Sequence, residues 1–327
     1  MSHQRSKSRP ASHPAAEPAT IDRHDALMRG IAGLDAKLDR LLAGSAPAPR
    51  PDAPGPRFVV SPTADGMMMT DTADMMIGEE LRTKGHFEEK HIDRALALLA
   101  KAGIGIQNSV FLDIGANIGT HSLHALKLGF QHALCIEPDP DNFRLLRINQ
   151  ILNGVDGRCT NINAAASNRE EEGVLELSPS NFGDYRVRSD HAGAEVHDES
   201  SWKTRPIVTR TLDGIFASLK IEASLIGFTW IDTQGHEGFV FAGGRGLLAA
   251  SAPIVCEFWP YGMERSGGYP LLRETLAGSG RRIVELRGSI RSGSLRELTL
   301  ADLDELYAAM LRGEGPGASP HTDLLLI

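Results

Sequence analysis

The sequence predicts an α/β fold: a mainly parallel sheet with helices on both faces. Three observations carry that expectation. Short apolar runs of strand length alternate with segments of helical period. Several runs end on an acid, at Asp113, Glu137, Asp232 and Glu257, and ligands of parallel sheets collect at the carboxyl ends of the strands. The run Val110-Phe111-Leu112 passes through Asp113-Ile114-Gly115-Ala116-Asn117-Ile118-Gly119 directly into an amphipathic stretch from His121 to Leu128.

That strand, turn and helix would bring backbone N–H groups and a helix N-terminus up to a ligand. Gly115 and Gly119 suit positive φ and close approach to the ligand, and Asp113 would aim an acceptor into the same crevice. A dinucleotide fingerprint needs glycine at 115, 117 and 120. Here Asn117 and Thr120 stand at two of those places, and no Gly-Lys-Ser/Thr of a phosphate loop follows. A carboxylate suits a ligand carrying an ammonium and a sulfonium, and would repel a pyrophosphate.

The other elements follow in order. Residues 58–60 form a short strand. A methionine cluster, Met67 to Met69 with Met75 and Met76, is core filling or an adaptable binding mouth. Residues 88–102 carry an apolar stripe at Ile92, Ala95, Leu96 and Leu99, and Gly103 ends the helix. Strands are predicted at 133–136, 158–164, 173–177, 207–210, 225–231, 252–258, 282–286 and 324–327. Helices are predicted at 142–152, 212–219, 269–277 and 303–311. Residues 178–205 are polar and read as a long insertion, a lid or binding element. With 259–269, they are expected to shape the acceptor pocket.

Ahead of this domain, expected to span 57–327, stand three other segments. Residues 1–20 have the composition of a disordered tail. In 21–43, Leu27, Ile31, Leu34, Leu38 and Leu41 follow heptad spacing, which fits a homodimeric coiled coil or a helix docked on its own domain. Residues 44–56 are a Pro-rich linker. A net charge of −8 argues against nucleic acid as partner. No apolar run is long enough for a membrane span, and the first ten residues lack the apolar stretch of a signal peptide, so neither is expected. Three scattered cysteines give neither a disulfide framework nor a cysteine-rich metal site. Together these features lead to an expectation of a cytoplasmic protein.

Candidate site residues cluster at the strand ends. Glu137, 24 positions after Asp113 in the chain, can accept from both hydroxyls of a ribose. Asn142 opens the next helix. Asn163 and Ala164 begin a run of small residues against which an adenine ring can lie. Asp232-Thr233-Gln234-Gly235-His236-Glu237 opens another helix beside the crevice. There Gly235 suggests a second approach of backbone to ligand. His236 is the first candidate for a general base, before Asp232 and Glu237. No metal is expected, because no second histidine joins them at ligand spacing.

Asp113-x-Gly115-x-Asn117-x-Gly119 resembles motif I of class I S-adenosylmethionine-dependent methyltransferases. With Glu137-Pro138, Thr211-Leu212-Asp213, Ile231 to Glu237, Gly243-Gly244 and Glu257 in that order, the chain resembles the FkbM family of methyltransferases from about residue 85 onward. The resemblance implies a Rossmann-like, mainly parallel seven-stranded sheet. It implies S-adenosylmethionine as cofactor; the residues expected to hold it are Asp113, Gly115, Asn117, Gly119 and Glu137 of these motifs, with Asn142, Asn163 and Ala164 from their places beside the crevice. It also implies O-methylation of a sugar, glycan or secondary metabolite. The sequence departs from the family at Asp232-Thr233-Gln234-Gly235, where valine commonly follows the aspartate, and at Asp213-Gly214, where an acidic pair is usual. Two other readings compete: a non-catalytic binding or scaffold protein on the same fold, and an NAD-dependent oxidoreductase, against which the missing glycines speak.

Overall fold

The central sheet reverses its strand order beside the Asp113 strand, and that reversal positions everything else. The computed structural model describes residues 56–107, 109–189, 195–315 and 319–327. The expected tail, the heptad segment and the linker up to residue 55 lie outside the described residues.

A hairpin of β1 (Phe58–Thr63) and β2 (Gly66–Asp71) precedes α1 (Ile77–Lys84) and α2 (Glu89–Lys101). Then come β3 (Val110–Ile114), α3 (Thr120–Lys127), β4 (His132–Ile136), α4 (Pro140–Leu152) and β5 (Cys159–Ile162). Four strands follow, β6 (Ala165–Ala166), β7 (Glu171–Leu177), β8 (Arg186–Val187) and β9 (Lys203–Arg210), and make a sheet of their own. The chain returns through α5 (Leu212–Leu219) to β10 (Ile226–Ile231), α6 (Glu237–Ala242), α7 (Arg245–Ala249) and β11 (Ile254–Phe258). It ends with α8 (Pro260–Ser266), α9 (Gly268–Ser279), β12 (Ile283–Glu285), α10 (Leu286–Ser292), β13 (Glu297–Leu298), α11 (Leu300–Leu311) and β14 (Thr322–Leu326).

The main sheet has eight strands in the order β13-β12-β14-β11-β10-β3-β4-β5. From β5 to β11 neighbouring strands run parallel. β14 runs against both β11 and β12. The eighth strand beyond the seven expected is β13, a two-residue edge pairing too short to leave a sequence pattern. The order steps outward from β3 to β5 on one side and from β10 to β11 on the other. The crevice between β3 and β10 is therefore the switch point where ligands of such sheets bind.

Strand alternation divides the core into two layers. Leu112, Ile114, Leu134, Ile136, Ile254 and Cys256 face one layer, which α5, α6, α7 and α9 cover. Phe111, Phe228, Trp230 and Val255 face the other, against Ile92, Ala95 and Leu99 of α2. Each of the valine, leucine, isoleucine and phenylalanine side chains among them contributes about 1.5–3 kcal/mol by leaving water.

Local signals set the element ends. Asp139 caps α4, accepting from the N–H groups of Asp141 and Asn142 at 2.9 Å, with Pro140 at the first helical position. Thr211 caps α5 by accepting from Gly214 N–H at 3.0 Å. Asp213 donates its N–H to the Gly243 carbonyl and accepts from Gly246 N–H, both at 3.0 Å. The two distant motifs are thus one helix-to-helix contact.

Several expectations are corrected here. Met67 to Met69 belong to β2. Met68 is core, whereas Met75 and Met76 are more than half exposed. Residues 178–205 are not one open loop, because they contain β8 and the start of β9. Their centre is Arg186, buried and bound to both Asp184 oxygens at 2.7 and 2.8 Å and to Glu199 at 2.6 Å. The rings of Trp202, Trp259 and Tyr261 surround its guanidinium. The faces of these rings are thus taken by a cation. Residues 259–269 are largely helical, and α10 was not foreseen. No helix among the described residues is long and apolar enough to cross a membrane.

Candidate active site

A cavity of about 740 Å³, counting its open mouth, occupies the β3/β10 crevice. Its walls include the turn from Gly115 to Asn117, Glu137 and Asn142, the small residues Ala165 and Ala166, and Asp232, Thr233, Gln234 and His236. Phe182, Gly183 and Tyr185 close it from the small sheet.

Glu137 is the best-organised group. It is 4% exposed. One carboxylate oxygen accepts from Asn117 N–H at 2.9 Å and the other from Asp139 N–H at 2.7 Å. Each oxygen keeps a lone pair for a ligand hydroxyl. Burial pushes the carboxyl up to about 8, against the pull of those two N–H groups.

Asn117 takes φ 49°, in the left-handed region that asparagine tolerates. Its side-chain amide donates to the Phe182 carbonyl at 2.9 Å, and the Asn142 amide donates to the same oxygen at 3.0 Å. Two expected site residues therefore converge on one peptide of the segment above them. Phe182 went unrecognised because nothing in a polar stretch marks which carbonyl will be bound.

The glycines are also demanded by the packing of the chain itself. A Cβ at Gly115, which lines the cavity, would lie 1.8 Å from the carbonyl oxygen of Asp232. At Gly119 it would meet Leu146, and at Gly235 it would sit 2.3 Å from the backbone of Gly262.

Asp113 is displaced from its expected place. It is fully buried beneath the turn and is not part of the cavity wall. Burial raises it to about 7. Ser122 lies close enough to favour its charge, but neither carboxylate oxygen has a hydrogen bond of ordinary geometry among the described residues. Asn163 is exposed and donates to the carbonyls of Glu137 and Pro138 at 2.8 and 3.0 Å. Ala164 is buried away from the cavity, and its neighbours Ala165 and Ala166 line it instead.

On the β10 side, Asp232 and Glu257 are bridged by Gln234. Its amide donates to them at 2.6 and 3.0 Å. Burial raises both carboxyls, Asp232 to about 6 and Glu257 well above its usual range; the charge of Asp232 raises Glu257 further, and Asp323 raises both. Glu237 is fully buried, is not part of the cavity wall, and turns back to accept from Thr233 N–H and Oγ1 at 2.9 and 3.0 Å. It fixes the turn rather than reaching the cavity. His236 does line the cavity. Its Nε2 is 3.0 Å from Ser167 Oγ, its ring stacks on Phe239 at 4.3 Å, and its Nδ1 has no partner among the described residues. Burial alone lowers it to about 3, so the imidazole is neutral. His121, unforeseen as a wall residue, is lowered to about 3 by burial and by His91. Among the described residues, no group of three or more acids, histidines or cysteines is placed to hold a metal.

Comparison with known proteins matches the family model "Methyltransferase FkbM domain" over residues 113–282, just over half of the chain. No curated protein matches. Among solved structures, Pyrococcus horikoshii TYW2 in complex with MeSAdo is 15% identical with a TM-score of 0.40, over 83% of this chain and 70% of that one. A SAM-dependent methyltransferase from Agrobacterium tumefaciens is 13% identical with a TM-score of 0.40, over 88% and 78%. Geranyl diphosphate C-methyltransferase from Streptomyces coelicolor A3(2) is 11% identical with a TM-score of 0.36, over 94% and 98%. With its motifs in order along the matched segment, the chain belongs to the FkbM family of methyltransferases.

Proposed function

We propose that this methyltransferase uses S-adenosylmethionine to methylate a hydroxyl of a sugar, glycan or secondary metabolite. The observation that carries the reading is His236. It is a buried, neutral imidazole with an unpartnered Nδ1, on the same cavity wall as Asp232 and across β3 from Glu137.

The residues fit the cofactor. Glu137 offers two lone pairs to ribose hydroxyls, Ala165 and Ala166 leave flat space for adenine, and the Gly115–Thr120 turn with Asp232 suits the methionine end. Bound there, the cofactor supplies an electrophilic methyl carbon. In the transfer a C–O bond forms as a C–S bond breaks, and the hydroxyl proton needs an acceptor. If Nε2–H donates to Ser167, the Nδ1 lone pair of His236 is left to take that proton. The imidazolium formed replaces the sulfonium charge, so the net charge of the cavity is unchanged.

Titration calorimetry with S-adenosylmethionine, then transfer of a radiolabelled methyl group into hydroxyl-bearing extracts, tests the reading. Binding of NAD in place of S-adenosylmethionine would overturn it. We also assign residues 21–43 to homodimer formation. Removing residues 1–56 should lower the mass in light scattering and spare cofactor affinity.

A further inference from the structure

His236 belongs to two cavities. Besides the cofactor cavity, it lines a larger open groove of about 1180 Å³, counting its mouth, between the small sheet and α9. Ser167, Arg169, Glu171, Glu172 and Arg188 edge this groove, and Phe239, the ring stacked on His236, is part of its wall. The side chains of Arg169, Glu171 and Glu172 are exposed and make no ion pair among the described residues, although charges of both signs lie around one space.

We propose that this groove is the acceptor subsite and that it takes a neutral polyhydroxylated ring, a glycosyl group. The proposal rests on the methyl-transfer reading above and adds the place and the class of the acceptor. A guanidinium donates and a carboxylate accepts, so together they satisfy hydroxyls, which do both. An anionic acceptor would meet Glu171 and Glu172, and a cationic one would meet Arg169. The aromatic and aliphatic wall suits the C–H face of a sugar ring. Most important, His236, held to Ser167 of the groove wall, lines both spaces, so a ring seated in the groove lies beside an imidazole that also borders the cofactor cavity.

The test uses the full chain saturated with S-adenosylhomocysteine. Methyl glycosides of glucose, galactose, mannose and rhamnose are probed by saturation-transfer NMR, with glucose 6-phosphate and glucosamine as charged controls. At least one neutral glycoside should bind better than both controls. Arg169→Ala combined with Glu172→Ala should weaken it by about tenfold or more, the loss of two charge-assisted hydrogen bonds. Calorimetry should show unchanged affinity for S-adenosylhomocysteine in that variant. If S-adenosylhomocysteine binds normally but no neutral glycoside binds, or if the double variant binds it undiminished, the groove assignment is overturned alone. Failure of S-adenosylhomocysteine to bind the unaltered chain removes the methyl-transfer reading and the groove with it. Preferential binding of a charged control overturns the neutral class.

Discussion

The peptide N–H of Asn117 donates to Glu137 Oε2 at 2.9 Å, so one bond fixes the turn after β3 against the acid after β4. Glu137→Gln keeps the size of the side chain but turns one of its two acceptor oxygens into an NH2 donor. It should weaken S-adenosylmethionine binding by about tenfold, the scale of one lost hydrogen bond to a ribose hydroxyl. Glu137→Ala should cost more, because it also frees the N–H groups of Asn117 and Asp139. Calorimetric titration of both variants ranks them. Equal affinity in all three proteins would remove Glu137 from the ribose site.

The buried acids make the ligand-free protein sensitive to alkali. Glu137 is raised to about 8, Asp113 to about 7 and Glu237 to about 7, chiefly by burial. Between the unfolded carboxylate range and these values the native state binds more protons than the unfolded state, so stability falls as pH rises. The buried histidines, lowered to about 3, change stability in the opposite direction but only up to about pH 6.5. From pH 6.5 to 8.5 the melting temperature should therefore drop, and in Glu137→Gln it should drop less. Calorimetric scans at several pH values test the slope.

His236 can be separated from the cofactor residues by kinetics. His236→Ala should lower kcat by about 100-fold or more, the usual contribution of a positioned base. Its affinity for S-adenosylmethionine should stay within about twofold, since no cofactor group is assigned to its ring. Single-turnover methyl transfer alongside calorimetry decides. Lost affinity with unchanged turnover would make the ring part of the cofactor wall.

The Phe182 carbonyl accepts from Asn117 and Asn142 at 2.9 and 3.0 Å and holds the small sheet over the cavity. Asn117→Gly preserves the left-handed backbone and deletes one of these bonds. Losing about 1 kcal/mol from the closed form should speed cofactor release about fivefold. Asn142→Ala should act alike. Stopped-flow displacement of a fluorescent S-adenosylhomocysteine analogue measures it, and unchanged release rates in both variants would show that this peptide does not gate the cavity.

Gly115→Ala places a methyl 1.8 Å from the Asp232 carbonyl at φ 85°. It should destabilise the domain by about 3 kcal/mol or more, the range for overpacking added to backbone strain. Gly157→Ala, where no atom lies within 4 Å of the new Cβ, should stay within about 0.5 kcal/mol. Chemical denaturation of the pair provides the measurement.

The sheet and the place of the crevice were legible because strand runs of apolar residues and their terminal acids are local signals. Helix 212–219 was readable to the residue from Thr211 and its apolar face. Roles were harder to read. Asp113 was read as facing a ligand but is buried beneath the turn that follows it, and Gly115 and Gly235 answer also to neighbours distant in sequence, Asp232 and Gly262. Phe182 was invisible because a backbone carbonyl has no sequence signature.

The small sheet has one more property. Ala165 pairs with Thr209 and Ala166 with Arg210 in parallel register, and Ser167 N–H donates to Arg210 at 2.8 Å. The segment therefore leaves the main domain and returns to it at adjacent points. Segments with neighbouring ends tolerate transplantation. Chimeras joined just outside residues 165 and 210 would exchange the wall of the groove and the roof of the cavity together, while leaving the Gly115 turn, Glu137 and His236 in their native chain. Acceptor preference in this family could thus be moved between members as one graft.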